Sequence, residues 1–277
     1  MCSSDLVVLV VRPWGLFGRP QSLSRHAAKA EDPLKLPTPV GHYATIAFIG
    51  FLVLLPTLTA TSPYATVLVI DLMVATLFAV SLHFIMGPAG MHSFGHAAYF
   101  GLGAYGAALM VRKLGLPMEA ALLVAPLVAA VGAFLYGWFC VRLSGVYLAM
   151  LTLAFAQITW AIAFQWDAVT GGSNGLTGVW PAPWLADKQV YYYLTLALVA
   201  VGILLLHRFL HSPFGYAMRA SRDSVLRADA IGIDVRRISW VAFVVAGAFA
   251  GLAGALYAFS KGRDRKSVGR ERVLMPV

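Results

Sequence analysis

The sequence predicts an all-α protein, a polytopic bundle of about seven helices that span a membrane or enter it partway. Three observations carry this prediction. Of the 277 residues, 60% are hydrophobic and only 12% are charged, with mean hydropathy +0.76, whereas a soluble domain carries about 25% charged residues. The apolar residues gather into seven runs, most of them close to the ~20 residues a helix needs to cross hydrocarbon. Lys and Arg are distributed unevenly among the connections between those runs, as they are where charge sets membrane orientation.

The elements follow in order. Residues 1–42 open with VVLVV, too short to span a bilayer and broken by Arg12, Pro13 and Gly15, so this segment reads as an N-terminal tail. The apolar runs are 43–60, 64–86, 96–111, 118–139, 145–165, 190–210 and 238–259, giving one membrane domain over 43–260. The third run is short, rich in glycine and preceded by GPAG, which predicts a broken or partly re-entrant segment. Such backbone survives at membrane depth only where protein or a water-filled cavity shields it. Both ends carry a matched signature. CSSDL at 2–6 and DRKS at 264–267 can be encoded by the two strands of one stretch that resembles a sequencing adapter. Residues 1–6 and 261–277 are therefore set outside the fold, and further spans are expected beyond Phe259.

With the N-terminus inside, the inner segments carry Arg12, Arg19, Arg25, Lys29, Lys35, Arg142, Arg208, Arg219, Arg222, Arg227, Arg236 and Arg237. The outer connections hold only Arg112, Lys113 and Lys188. The asymmetry predicts a cytoplasmic N-terminus, with Arg112 and Lys113 snorkelling at the outer interface. The net charge of +9 thus reads as topology and not as a nucleic-acid surface. Of the two cysteines, Cys140 lies in an apolar run and reads as a small buried thiol; no disulfide framework is implied.

Two connections exceed simple turns. The outer one, 166–189, contains VTGGSNGLTG, in which Thr170, Gly171, Gly172, Asn174 and Gly175 suit unusual backbone angles. It is expected either to close over a path or to form a surface turn. In the inner one, 211–237, Ala217, Ala220, Ser221, Ser224, Ala228 and Ile231 recur at three- and four-residue steps with arginines largely on other faces. That pattern predicts one short amphipathic helix at the membrane surface.

The stretch GMHSFGHAAYFGLGAYGAALM at 90–110 admits three readings. A nucleophile elbow needs Gly-x-Ser-x-Gly, and around Ser93 the first glycine is displaced to Gly90. His92 and His96 are spaced four apart as in HExxH, but Ser93 stands where the glutamate belongs and no cluster completes a metal set. No catalytic residue and no metal site is assigned. Packing fits best: Ala97, Gly101, Ala104 and Ala108 form a small-residue face, and Gly247 and Gly251 repeat the device. Polar groups inside a bundle are costly and mark a path; here Ser93, His96, Thr152, Gln157 and Thr159 are the candidates. Asp71 requires either neutrality or a partner on another helix. Two rival readings are an intramembrane hydrolase using His92, Ser93 and His96, and an ion-coupled carrier using Asp71 and the histidines.

The order of signatures is GMHSFGHAAYFGLGAYGAAL, VRLSGVYLAMLTLAFAQI, VTGGSNGLTGV, SPFGYAMRASRDSVLRADAIGI and AFVVAGAFAGLAGALYA. Over roughly 64–259 it resembles the LivM-type permease subunits of branched-chain amino acid ABC importers, a family that also includes urea permeases. The resemblance implies a multi-pass subunit of the bacterial inner membrane that carries branched-chain or related amino acids, or alternatively urea or another small amide. It implies a homologous second permease, two cytoplasmic ATPase subunits and a periplasmic substrate-binding protein as partners. It maps a coupling helix onto about 214–232, with Arg219, Arg222, Asp223, Ala228, Ala230 and Gly232 as contacts to the ATPase. The chain has no GxxxxGK[ST] motif; it is expected to hold no cofactor, with ATP used by the partners.

Overall fold

The computed structural model describes the backbone of residues 39–58, 63–172, 176 and 187–273. Residues 1–38 of the predicted tail, the loop positions Asn174 and Gly175, and the last residues 274–277 lie outside the described residues, as do the side chains of 262–273. Every regular element described is helical: α1 (Pro39–Leu58), α2 (Pro63–Met86), α3 (His96–Leu114), α4 (Met118–Cys140) and α5 (Gly145–Gln165). The short α6 (Asp167–Thr170) follows, then α7 (Lys188–Leu210), α8 (Pro213–Asp223), α9 (Val225–Ala230) and α10 (Val235–Val273).

Over the described residues, each of the seven apolar runs lies in a helix. Five stretches are long and apolar enough to cross a membrane: Tyr64–Met86, Met118–Cys140, Gly145–Gln165, Lys188–Leu210 and Val235–Lys261. The other two are lesser. The described apolar stretch of α1 is Ala47–Pro56, and α3 is diluted by glycine and ends on Arg112 and Lys113. The boundaries follow local chemistry. Pro63 and Pro213 sit in the first turns of α2 and α8, where the missing N–H costs nothing. α3 stops at Gly115, in the left-handed region at φ 63°, whose N–H closes on the Met110 carbonyl. The side chain of Asp187 accepts the Gln189 N–H at the start of α7 (3.0 Å).

α10 is the centre of the bundle. More than half of its most apolar window is buried (56%), against a third or less in the other four spans. A helix that is apolar all round belongs in a core. Its small residues allow close approach: a Cβ on Gly247 would meet Ala133, one on Gly251 would meet Ala129, and one on Gly254 would meet the Phe100 carbonyl. The facing glycine on α3 is Gly103, where a Cβ would fall on the Gly251 backbone. This departs from the predicted packing face of α3. Ala104 and Ala108 lie in or beside the seam, whereas Ala97 is exposed and Gly101 has open space on its Cβ side. The closest approach to α10 is at Gly103, with Ala107 buried one turn on, a stripe rotated from the one chosen, while Gly106 faces Val128 of α4. Small residues at nearly every position of this helix offer more than one plausible stripe, and only α10 selects between them.

α7 binds its neighbours through three consecutive tyrosines. Tyr191 donates to the Leu256 carbonyl of α10 (2.6 Å), Tyr192 to the Leu52 carbonyl of α1 (2.6 Å) and Tyr193 to the Val53 carbonyl (3.2 Å). The second has a specific cause. Pro56 has no N–H to give Leu52 four residues back, so the Tyr192 hydroxyl supplies the missing donor. Asp71 of α2 finds its partner on another helix, Lys261 of α10, at 2.6 Å. Cys140 is fully buried.

Candidate functional site

Consecutive spans alternate in direction, so the connections sort into two ends. One is arginine-rich and carries the break between α2 and α3, Arg142, and the α8–α9 pair. The other carries Lys113, α6 and the start of α7.

Between α3, α4 and α5 lies a cavity of about 720 Å3. It extends from Phe94 in the break, along Ala97, Gly101 and Tyr105, to Thr170 and Gly172 at the opposite end. The walls are mostly apolar and aromatic. Of the candidate path residues, Gln157 and Thr159 line it, while Ser93, His96 and Thr152 are buried behind the wall. Donor assignments decide what those groups can offer. The Thr159 hydroxyl donates to the Phe155 carbonyl (2.8 Å), so Tyr136 must donate to Thr159 (2.9 Å). Tyr136 is in turn stacked on Phe155, with ring centroids 4.6 Å apart. Gln157 is exposed to the cavity with its amide unengaged among the described residues.

The break, residues 87–95, is held at both ends. Gly87 and Pro88 stop α2; Gly90 turns the chain at φ 66°. At the far end, the Phe94 N–H donates to Thr152 Oγ1 of α5 (3.2 Å). A Cβ on Gly95 would fall on the Thr152 carbonyl, so only glycine lets the break lie this close to α5. Thr152 has already given its own proton to the Ala149 carbonyl (2.8 Å). At the first residue of α3, His96 meets Ser81 Oγ through Nε2 (2.9 Å). Ser81 donates to the Phe78 carbonyl (2.7 Å), so this network assigns the proton to Nε2 of His96 and a lone pair to Nδ1. That Nδ1 and the Ser93 hydroxyl are buried without a hydrogen-bond partner among the described residues. His92 is exposed, whereas His96 is buried. Among the described residues, no three His, Cys, Asp or Glu side chains gather as a metal set.

The opposite end of the cavity is closed by α6. Thr170 donates within reach of two carbonyls, Ala163 (2.6 Å) and Trp166 (2.8 Å), and accepts the Gly172 N–H (3.4 Å). Gly171 and Gly172 both take positive φ, at 76° and 52°. Lys113, expected to snorkel, reaches instead to the Ala168 carbonyl at 3.0 Å and ties α3 to α6.

The predicted amphipathic helix is two helices. Ser224 is extended (φ −162°, ψ 109°), ends α8 and accepts the Arg227 N–H as the cap of α9. Hydroxyl N-caps compete with helix continuation, a signal the recurrence of small residues concealed. Of the mapped coupling residues, Asp223, Ala230 and Gly232 are exposed and Arg219 is half-buried. Ala228 is buried, and Arg222 turns into the molecule, donating to the Gly87 carbonyl (2.8 Å). The prominent exposed side chains are ones the sequence reading did not single out as contacts: Val225, Leu226 and Ile231, with Leu226 84% exposed.

A multi-helix membrane bundle with an apolar cavity beside a glycine-rich break defines the class of membrane permeases. Comparison with known proteins gives the family. Residues 64–270 match the model of the permease component of branched-chain amino acid transport systems, and the chain belongs to this family. The high-affinity branched-chain amino acid transport system permease protein LivM of Escherichia coli K12 is 31% identical over 218 residues, covering 69% of this chain and 51% of that protein. The LivM of Salmonella typhimurium LT2 is 30% identical over the same shares. The chain spans about half the length of these curated relatives. No solved structure matches it.

Proposed function

We propose that the chain forms half of the translocation path of an ABC importer for branched-chain or related amino acids. The observation that carries this reading is the cavity between α3 and α5. Its aliphatic and aromatic walls suit a branched apolar side chain, and the Gln157 amide and Tyr136 hydroxyl are the polar groups on hand for an amino acid's charged ends. A urea-sized amide would leave those walls unfilled, which makes it the weaker alternative. In this reading Ser93, His96 and Thr152 hold the wall, and Gln157 and Thr159 face the solute.

The arginine-rich end faces the cytoplasm of a bacterium, in keeping with the positive-inside rule, and the N-terminus lies on the same side of the inner membrane. Two ATPase subunits drive the transporter, one of them docking on α8 and α9 of this chain. Val225, Leu226 and Ile231 offer it an apolar ledge with Arg219, Asp223, Ala230 and Gly232 around it. A homologous permease supplies the second half of the path, and a periplasmic binding protein delivers the solute near Thr170–Gly172. The chain itself takes no cofactor; ATP is consumed by the partners.

The test is reconstitution. The chain is co-expressed with a second permease, two ATPases and a binding protein of the same importer family, and leucine, valine and urea uptake are measured in proteoliposomes. ATP-dependent uptake of the branched amino acids is expected. Uptake that ignores ATP but collapses with the proton gradient would replace the importer by an ion-coupled carrier.

A further inference from the structure

We propose that Arg222 is a positioning residue for transport, the tie through which motion of α8 reaches the cavity. This rests on the importer reading above. The contacts form a continuous chain. The Arg222 guanidinium is fixed on one side by Asp223 Oδ1, at 3.2 and 3.3 Å, and on the other donates to the Gly87 carbonyl (2.8 Å) at the start of the break. Its aliphatic stem lies over Gly90, where a Cβ would collide with the Arg222 Cγ and the positive φ already disfavours any side chain. The same segment is anchored at its other end by Thr152, through the Phe94 N–H and the close approach of Gly95.

Phe94 is itself part of the second anchor, and its side chain is 64% exposed at the cavity's arginine-rich end. A displacement of α8 therefore draws on Gly87–Gly90 and loads the link from the Phe94 N–H to Thr152, which changes how the Phe94 ring sits at the cavity mouth. Arginine suits the task because its planar fork holds two oxygens at once, as a lysine's point charge does not. The geometry also separates two roles within one short region. α9 and the exposed face of α8 meet the motor, while Arg222 reports inward.

The experiment uses the complete transporter, with labelling from the cytoplasmic side in inside-out vesicles and solute uptake in right-side-out proteoliposomes loaded with ATP. A single reporter thiol, Ala97→Cys, is placed in a Cys2→Ser, Cys140→Ser background; Ala97 lines the cavity two residues beyond the break. Labelling by a membrane-impermeant maleimide, solute uptake and ATPase co-purification are each measured for Arg222→Gln, Arg222→Lys and Gly90→Ala. Arg222→Gln is expected to raise Ala97→Cys labelling severalfold and to lower uptake by about fivefold or more, the low end of ordinary coupling between sites, while the ATPase still co-purifies. Arg222→Lys should fall between it and the parent, and Gly90→Ala should follow Arg222→Gln. A second reporter, Val169→Cys at the opposite end of the cavity and probed in right-side-out vesicles, should label unchanged; labelling raised at both ends means general loosening and overturns the proposal. Unaltered labelling and uptake in Arg222→Gln also overturn it, as does loss of the ATPase, which would make Arg222 a docking contact. If the parent itself binds no ATPase, the importer reading fails, and the labelling comparison still decides whether Arg222 holds the break.

Discussion

Gly101 and Gly103 stand two residues apart on α3, and their alanine variants are expected to move stability in opposite directions. A Cβ on Gly101 meets nothing within 4 Å. Gly101→Ala therefore restricts the unfolded chain without cost to the native packing, and glycine in a helix interior is worse than alanine by about 0.5–1 kcal/mol. A Cβ on Gly103 lands on the carbonyl oxygen and Cα of Gly251. Both sides of that contact are backbone, so no side chain can swing aside, and α3 and α10 must separate. Overpacking of this kind costs about 1–3 kcal/mol. The two variants should thus differ by about 1.5–4 kcal/mol, the two ranges taken together. The assay is thermal unfolding of the purified complex in detergent, followed by the exposure of Cys140, fully buried when folded, to a thiol-reactive dye in a Cys2→Ser background. Gly101→Ala should raise the midpoint and Gly103→Ala lower it. Equal midpoints for the two variants would refute the rotation of the packing seam, and with it the placing of Gly101 on the cavity.

Three further outcomes are expected. Gly101→Leu should leave the unfolding midpoint near that of the parent and cut uptake by about tenfold, since a steric cost of 1–3 kcal/mol placed in the path acts on the transport barrier; transport assays in proteoliposomes check this. Tyr192→Phe should lower stability by about 1–3 kcal/mol because it leaves the Leu52 carbonyl without a donor, whereas Tyr193→Phe should cost about 0.6 kcal/mol, typical of a membrane side-chain hydrogen bond; the same thermal assay separates them. Leu226→Asp should abolish co-purification of the ATPase while Gln157→Leu retains it and impairs uptake alone.

The apolar runs made the helices legible because hydrocarbon leaves a helix as the simplest way to satisfy the backbone. The break was legible from GPAG and the glycines behind it. The polar path was legible only in part: any hydroxyl in a membrane helix attracts notice, but whether it faces a cavity depends on helix rotation. Thr159 and Gln157 face the cavity, whereas Thr152, seven residues before Thr159, is buried against the break. Arg222 lay within the predicted coupling stretch, yet its inward direction depends on a turn 135 residues away. Pro56 was visible, but the remedy for its missing N–H lies on α7, and nothing near Leu52 announces it. Local chemistry sets the elements; pairings between distant helices choose the faces.

The α5 wall of the cavity has a consequence for how this protein tolerates change. Only Leu148, Ala149 and Thr152 of that helix are buried, all near one end, and the connection after it is pinned through Lys113 and Ala168. It behaves as a shutter fastened at top and bottom, its middle touching the bundle mainly through Tyr136, which bonds Thr159 and stacks on Phe155. Widening or narrowing the passage therefore need not disturb the contacts on which folding depends, so solute preference and robustness can be altered by substitutions in separate helices.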